Sequence, residues 1–181
     1  MKRITYIILA FTLFVISACD KNDTVLFKDE STAMTADKKA WTITASSFST
    51  SEGTNGSPQK LLDGDRLTYW HTDYSVVIPY PHWVLIDMKV ALKMISVGVT
   101  NRYAATPNAI GMKKFKLEAS NDGTSFTSLG EFNFAISNDL QNFPVSSAVA
   151  YRYLKLTALE SQRVGTNHTF LSEIDVFVVK Q

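Results

Sequence analysis

Short runs of alternating apolar and polar residues fill the chain from Trp41 onward. The clearest runs place apolar side chains at every second position, the spacing with which one face of a strand is buried. They are Val84, Ile86 and Met88; Phe115, Leu117 and Ala119; Leu154, Leu156 and Ala158; and Ile174, Val176 and Val178. No window of about a dozen residues here repeats at the helical period. The pattern therefore predicts an all-β domain.

Clusters of Gly, Pro, Asn and Asp separate these runs, as expected for tight turns. The segment Asn121-Asp122-Gly123 lies between two strand-like runs and predicts a β-hairpin with Gly123 at positive φ. Many short strands punctuated by turns are typical of a sandwich or a barrel. We expect such a domain over residues 41–181.

The first nineteen residues have a different character. A basic start, Met1-Lys2-Arg3, precedes an apolar run over residues 4–16, which has the length of a signal-peptide core. The run ends in Ile16-Ser17-Ala18-Cys19, which resembles the lipobox of bacterial lipoproteins. The resemblance implies removal of residues 1–18, acylation of Cys19 and a lipid anchor in the bacterial cell envelope. An uncleaved helix with an incidental Cys is the alternative.

Residues 19–40 are expected to form a lipidated tether, because nine of the residues from position 20 to 40 are charged and none is Gly or Pro. A small apolar cluster in it, Val25-Leu26-Phe27, could dock on the domain. Its start, Asp20-Lys21-Asn22-Asp23, loosely resembles export signals of surface lipoproteins in Gram-negative bacteria, which implies an outer-membrane or cell-surface location. A solvated spacer explains these residues equally well.

Composition narrows the function further. Hydrophobic residues make up 45% of the 181 residues, charged residues make up 19%, and the formal net charge is +1. This is a globular profile without a basic surface for nucleic acid. A single Cys excludes an intrachain disulfide and a cysteine zinc cluster. The motifs of nucleophilic hydrolases, zinc proteases and phosphate-binding loops are missing, so we predict that the protein is not an enzyme.

The segment 60–72 carries the most specific chemistry. Asp63 offers a carboxylate and Thr68 a hydroxyl around a Gly bend, which suits a hard cation such as Ca²⁺. Asp65 lies in the same tight turn, so the two Asp residues would face a common cation more readily than opposite faces of a sugar. Glu173 is a candidate for a further carboxylate. An Asx turn at Asp63 would use the same loop without metal, and the pattern leaves both open.

Five short segments together resemble the discoidin family, the type C domain of coagulation factors V and VIII. They are residues 60–72, 81–88, 115–123, 151–156 and 172–177. The likeness is greatest to bacterial family 32 carbohydrate-binding modules and the amino-terminal domain of galactose oxidase. It implies an eight-stranded antiparallel jelly-roll sandwich with a structural Ca²⁺. The implied ligands are the side chains of Asp63, Thr68 and Glu173 and backbone oxygens of Lys60, Asp65, Thr68 and Ser172.

The resemblance also implies a sugar site on loops at one end of the sandwich. The matching positions are His71, Tyr74, Arg102 and Asn108, with His168 and Phe170 offering a further aromatic surface. Aromatic faces would cover the apolar C–H patch of a sugar, while Arg, Asn and His satisfy its hydroxyls. A neutral His71 would accept a hydroxyl proton, so the affinity is expected to fall near about pH 6.

The implied function is a non-catalytic, surface-anchored lipoprotein that binds galactose-type or related sugars. The alternative is an adhesion or scaffold module that binds a protein partner through the same loops. Among the remaining residues, Trp70 and Trp83 are expected in the core, and Asp87 and Asp175 in solvent.

Overall fold

The computed structural model describes residues 33–145 and 147–180. Its strands are β1 (Ala33–Thr35), β2 (Thr42–Ala45), β3 (Trp70–His71), β4 (His82–Leu92), β5 (Met94–Thr100), β6 (Met112–Ser120), β7 (Thr127–Asn133), β8 (Gln141–Pro144), β9 (Tyr151–Ser161), β10 (Phe170–Leu171) and β11 (Glu173–Val179). A short 3-10 helix, Pro58–Leu61, lies between β2 and β3. None of the helical turns in this part of the chain is long and apolar enough to cross a membrane.

The strands form two main sheets and a small ribbon. One sheet has the order β2-β4-β9-β6-β7, the other has the order β1-β11-β5-β8, and β3 pairs with β10. The paired strands are antiparallel. The predicted antiparallel sandwich is confirmed. The described residues hold 11 strands rather than eight because β1, β3 and β10, of two or three residues each, add to the expected set.

The alternating positions fill the space between the sheets. Phe115, Leu117 and Leu156 are almost completely buried, and burial of side chains of this size contributes about 1.5–3 kcal/mol each. Trp70 is also buried, and its indole N–H donates to the Ser47 carbonyl at 3.0 Å. The inward period-two positions of the sequence therefore form the core of the sandwich.

The expected core position of Trp83 is wrong. Trp83 follows the buried His82 and precedes the buried Val84 on β4, so its side chain lies on the outer face of the sheet. There it is half-buried, and the Lys155 ammonium lies 5.4 Å from its ring centroid. The indole was expected in the core, but it lies on the outer face and packs against the Lys155 side chain.

The hairpin between β6 and β7 forms as predicted, with Gly123 at φ 75°. The Asp122 carboxylate accepts hydrogen bonds from the backbone N–H groups of Thr124 and Ser125, both at 2.7 Å. These bonds satisfy donors that the turn leaves outside the strand ladder.

The sandwich begins earlier than the predicted boundary at residue 41. Strand β1 pairs with β11, and the Ala36 N–H donates to the Val176 carbonyl at 2.8 Å. Residues 33–36, which were expected in the tether, therefore pair with the sheet. The signal peptide, Cys19 and the apolar cluster at residues 25–27 lie outside the described residues.

Asp87 and Asp175 are paired rather than solvated. The Arg152 guanidinium donates to both oxygens of Asp87 at 2.8 and 2.9 Å and holds the pKa of that carboxyl well below its ordinary value. The Lys38 ammonium donates to Asp175 at 2.8 Å. Both acids meet cations far away in sequence, which a strand pattern does not show.

Candidate functional site

Three loops and the β3–β10 ribbon meet at one end of the sandwich. In the ribbon His71 lies opposite Phe170. Tyr74 follows β3, Arg102 and Asn108 follow β5, and His168 precedes β10. Antiparallel pairing thus brings together segments nearly a hundred residues apart, and the predicted sugar-site positions lie on these segments.

An aromatic cluster surrounds His71. The centroid of its ring lies 4.8 Å from that of Tyr74, 5.2 Å from that of His168 and 5.4 Å from that of Phe170. Tyr74 is 47% exposed and can offer a ring face to a ligand. The suggested stacking role of Phe170 is wrong, since it is 2% exposed and packs so closely on Gly111 that an added Cβ there would lie 2.9 Å from its ring.

Glu52 fixes the hydrogen-bonding state of His71. Its carboxylate lies 2.7 Å from Nδ1 of His71 and accepts the Tyr69 hydroxyl at 2.6 Å. Burial alone would raise the pKa of Glu52, but these two hydrogen bonds hold it below its ordinary value. An ionised carboxylate only accepts, so Nδ1 of His71 carries the hydrogen and Nε2 is left as an acceptor.

Nε2 of His71 is buried and has no hydrogen-bond partner among the described residues. An unsatisfied buried polar atom costs about 1–3 kcal/mol, a cost that a ligand donor would remove. Burial lowers the pKa of His71 and outweighs the opposing effect of Glu52, so the ring is neutral at pH 7. The expected loss of affinity near about pH 6 should therefore occur at lower pH.

Arg102 lies flat against the same cluster. Its guanidinium carbon is 3.9 Å from the Tyr69 ring centroid and 5.7 Å from that of Phe170. Stacking restricts the side chain, which makes no hydrogen bond within the described residues and keeps its N–H donors for a ligand.

Asn101 connects Arg102 to Asn108. The side-chain oxygen of Asn101 accepts a hydrogen bond from the backbone N–H of Arg102 at 2.9 Å. The side-chain amide of Asn101 donates to the backbone carbonyl of Asn108 at 3.1 Å. The Asn108 side-chain oxygen accepts the Ile110 N–H at 3.1 Å, so this residue presents chiefly its amide donor.

Sequence reasoning missed three residues of this site. The sequence patterns assigned no role to Glu52 or Asn101, and Tyr69 lay in the segment 60–72 without a role of its own. Each acts through a partner that the fold, not the sequence, brings near. Together the residues offer an acceptor, several donors and one aromatic face, which suits a ligand with many hydroxyls and an apolar patch.

The candidate cation residues also converge. Thr68 donates its hydroxyl to Asp63 at 2.8 Å, and the Asp65 N–H donates to the same carboxylate at 3.0 Å, which is the expected Asx turn. Glu173 lies close enough to Asp63 for their carboxyl groups to interact. Its Oε1 is buried without a partner, while its other oxygen accepts from Lys38.

These residues fit a bound cation. Burial, and the neighbouring carboxylates of Asp175 and Asp63, raise the pKa of Glu173 to about 7 despite the opposing ammonium of Lys38. A cation bound at Oε1 of Glu173, which has no hydrogen-bond partner among the described residues, would therefore offset the cost of burying this carboxylate. The backbone oxygen of Asp65 faces the Thr68 hydroxyl at 3.0 Å, and Lys60 and Ser172 flank the loop and the start of β11. No cluster of three or more His, Cys, Asp or Glu residues occurs in the described chain, so hydroxyl and backbone oxygens would have to complete the shell.

Comparison with known proteins identifies the fold family. The profile of the F5/8 type C domain matches residues 42–173. A sialidase of Micromonospora viridifaciens is 24% identical over 67% of this chain and 19% of its own length. A galactose oxidase of Gibberella zeae is 29% identical over 76% of this chain and 20% of its own length. The chain thus spans about a fifth of the curated relatives that it matches.

Solved structures show the same sandwich. The protein CpGH89CBM32-5 of Clostridium perfringens, in complex with GalNAc-β-1,3-galactose, has a TM-score of 0.70 at 25% identity and covers 79% of this chain and 99% of its own. The C-terminal domain of a chitobiase from Bacteroides fragilis has a TM-score of 0.71 at 28% identity and covers 82% and 100%. The family 32 module of NanJ from Clostridium perfringens, in complex with galactose, shares the fold at 22% identity, covers 80% and 98%, and has a TM-score of 0.67.

The profile match covers more than half of the chain, and these structures share its sandwich fold. The resemblance carried by five short segments is therefore confirmed for the globular part, and the chain belongs to the F5/8 type C (discoidin) domain family.

Proposed function

We propose that this protein is a non-catalytic glycan-binding lipoprotein that recognises a galactose-type sugar. The observation that carries the proposal is Nε2 of His71, a buried acceptor without a partner, next to the exposed ring of Tyr74. A sugar hydroxyl would donate to Nε2, and its C–H face would cover the Tyr74 ring. Arg102 and Asn108 supply donors to neighbouring oxygens.

Two structural neighbours support a sugar ligand, since they were solved with GalNAc-β-1,3-galactose and with galactose. The curated relatives are a sialidase and galactose oxidases, of which this chain matches about a fifth. We therefore carry over binding, and not the activity of those whole enzymes.

Two further features belong to the same proposal. Ca²⁺ held by Asp63, Thr68 and Glu173 would crosslink a loop near the start of the domain to β11 near its end. Acylation at Cys19 would anchor many copies of the protein in one membrane, where they could bind the same glycan surface together. Because one shallow site binds weakly, such a display would raise the overall affinity by avidity. The proposed location is the bacterial outer membrane or cell surface.

One observation favours a protein ligand instead. Val76 and Val77 are 54% and 82% exposed after β3, and Val164 is 99% exposed before β10. Exposed apolar loop tips can contact a protein or a lipid surface. The adhesion alternative therefore predicts binding that depends on these Val residues and not on Arg102.

Calorimetric titration of the domain from residue 31 onward tests the proposal, using methyl glycosides of galactose, N-acetylgalactosamine, glucose and mannose. Arg102→Ala should weaken binding by about 1.5–3 kcal/mol, because a charge-assisted donor is lost. The control is Arg152→Ala, which removes a guanidinium paired with Asp87 at the far end of β9. If no sugar binds the folded domain, the glycan proposal fails. If both variants bind sugar as the wild type does, Arg102 is not part of the site.

A further inference from the structure

A second cleft lies beside the candidate sugar site. It has a volume of about 210 Å³ and is lined by the segment after β3 and the segment before β10. Tyr74 and His168 line this cleft and also contact His71, so the two features share a wall. Neither Arg102 nor Asn108 reaches it, which makes it a separate space.

Buried hydrogen bonds hold one wall of the cleft in place. Nε2 of His82, which is fully buried, bonds to the Asn167 carbonyl at 2.8 Å. The Tyr80 hydroxyl donates to the His168 carbonyl at 3.0 Å. The Thr169 N–H donates to the Thr72 hydroxyl at 3.0 Å. Because three successive residues are anchored through their backbone, this wall of the cleft is in place before any ligand arrives.

The bonds that anchor this wall use backbone groups of residues 167–169, so polar side chains of the wall remain available to a ligand. The Asn167 amide and the Thr166 hydroxyl form no hydrogen bond within the described residues, although the backbone of Asn167 is fixed. Val76 and Val77 contribute apolar surface from the other segment. The cleft therefore offers polar groups from one segment and an apolar wall from the other.

These properties match one sugar ring. A pyranose has hydroxyls along its edge and C–H groups on its face, which suit Asn167 with Thr166 and the two Val side chains respectively. Sites for drug-sized molecules are about 300–1,000 Å³, so this smaller cleft has room for a single ring. Continuity through Tyr74 and His168 places that ring next to the first sugar.

We propose that the cleft is a second subsite that holds the neighbouring ring of the same glycan. The protein then recognises a disaccharide or a longer chain, with the terminal sugar at His71 and the next ring between Val77 and Asn167. The inference rests on the proposed function, since it needs a sugar in the first site.

The test compares methyl galactoside with galactosyl disaccharides of α and β configuration and 1→3, 1→4 and 1→6 linkage. Titration should show at least one disaccharide binding about fivefold or more tightly than the monosaccharide. Saturation-transfer NMR should then show transfer to protons of both rings. Thr166→Trp, which fills the cleft, should remove the gain and leave the monosaccharide affinity unchanged.

Two controls separate this effect from a disturbed fold. Thr127→Trp places the same bulk on an exposed position of β7 and should retain the disaccharide preference. Val77→Ala should reduce the preference, whereas Val90→Ala, at another exposed position, on β4, should not.

Three results would overturn the inference. If galactoside binds and no disaccharide binds more tightly, the second subsite is absent while the proposed function stands. If the preference survives in Thr166→Trp, the second ring lies elsewhere. If neither class of sugar binds the wild type, the proposed function fails first, and the subsite falls with it.

Discussion

The Glu52 carboxylate lies 2.7 Å from Nδ1 of His71, although the two residues are 19 positions apart. The second Glu52 oxygen accepts the Tyr69 hydroxyl, so the carboxylate is held from two sides. This contact leaves Nε2 of His71 as a buried acceptor that has no hydrogen-bond partner among the described residues. Glu52 is thus a positioning residue, acting through His71.

Replacement of Glu52 by Gln should weaken sugar binding by about 1 kcal/mol, because an amide can donate as well as accept and no longer fixes the tautomer of His71. Calorimetric titration measures the change, and nitrogen-15 NMR of the His71 ring reports the tautomer. Glu160→Gln, at an exposed surface pair with Lys113, is the matched control. Equal affinity in both variants, with an unchanged tautomer, would remove Glu52 from the site.

The pH dependence of binding should follow His71. Five groups that carry or can acquire charge lie around its ring: Glu52, Tyr69, Tyr74, His168 and Arg102. Burial lowers the pKa of His71, and the charges of His168 and Arg102 act in the same direction. Nε2 of His71 therefore remains a neutral acceptor at pH values somewhat below the ordinary histidine pKa of about 6.5. Above that pH, the affinity for sugar should not change with pH.

Affinity should fall only at lower pH, where the ring gains a proton and Nε2 becomes a donor. The folded-state pKa is lowered, so the unfolded chain binds the proton first and stability also declines as the pH falls below about 6.5. Titrations at pH 8, 6.5 and 5 separate these regimes, and His168→Gln separates the second His. A half-loss of binding already at neutral pH contradicts the prediction.

Chelation should destabilise the domain if Ca²⁺ is bound at Asp63, Thr68 and Glu173. An ion present at one hundred times its dissociation constant stabilises the native state by about 2.7 kcal/mol. A chelator should therefore lower the melting temperature of the wild type and change that of Asp63→Ala little. Asp139→Ala, in an unrelated exposed loop, should respond as the wild type does. Equal responses from all three proteins would leave only the Asx turn at Asp63.

Gly56 holds the loop that carries Glu52 against β3. It has φ +88°, its N–H donates to the Tyr69 carbonyl, and an added Cβ would lie 2.2 Å from the Ser49 carbonyl oxygen. Gly53 has a similar φ of +63° with open space around it. Gly53→Ala should cost about 1 kcal/mol through its backbone conformation alone, and Gly56→Ala considerably more. Chemical denaturation of the two variants checks the order, and equal losses would contradict it.

Lipidation at Cys19 is testable in cells. Metabolic labelling with a fatty-acid analogue should mark the wild type, because the small-residue site and the only Cys coincide. Cys19→Ala should lose the label, whereas Ser17→Ala, which keeps a small residue in the motif, should retain it. Label that persists in Cys19→Ala excludes acylation at this residue.

The sequence by itself determined the architecture of the domain. Period-two alternation marks β4, β6, β9 and β11, because a sheet with one buried face allows apolar side chains only at every second position. The hairpin at Gly123 was equally visible, since a turn with positive φ restricts which residues can occupy it. Such constraints act within a few residues and can be read without knowing the fold.

Tertiary structure decided which distant groups meet. Alternation could not place Lys38 against Asp175 or Arg152 against Asp87, since each pair joins segments far apart in the sequence. The outer position of Trp83, by contrast, follows from the inward positions of Val84 and Ile86 on the same strand. Glu52 and His71 approach each other in a loop that backbone hydrogen bonds of Ser49 and Gly56 tie to His71. Hydrogen bonds and desolvation depend on distance in space, so the acceptor state of His71 and the cleft beside Tyr74 arise only once the chain has folded.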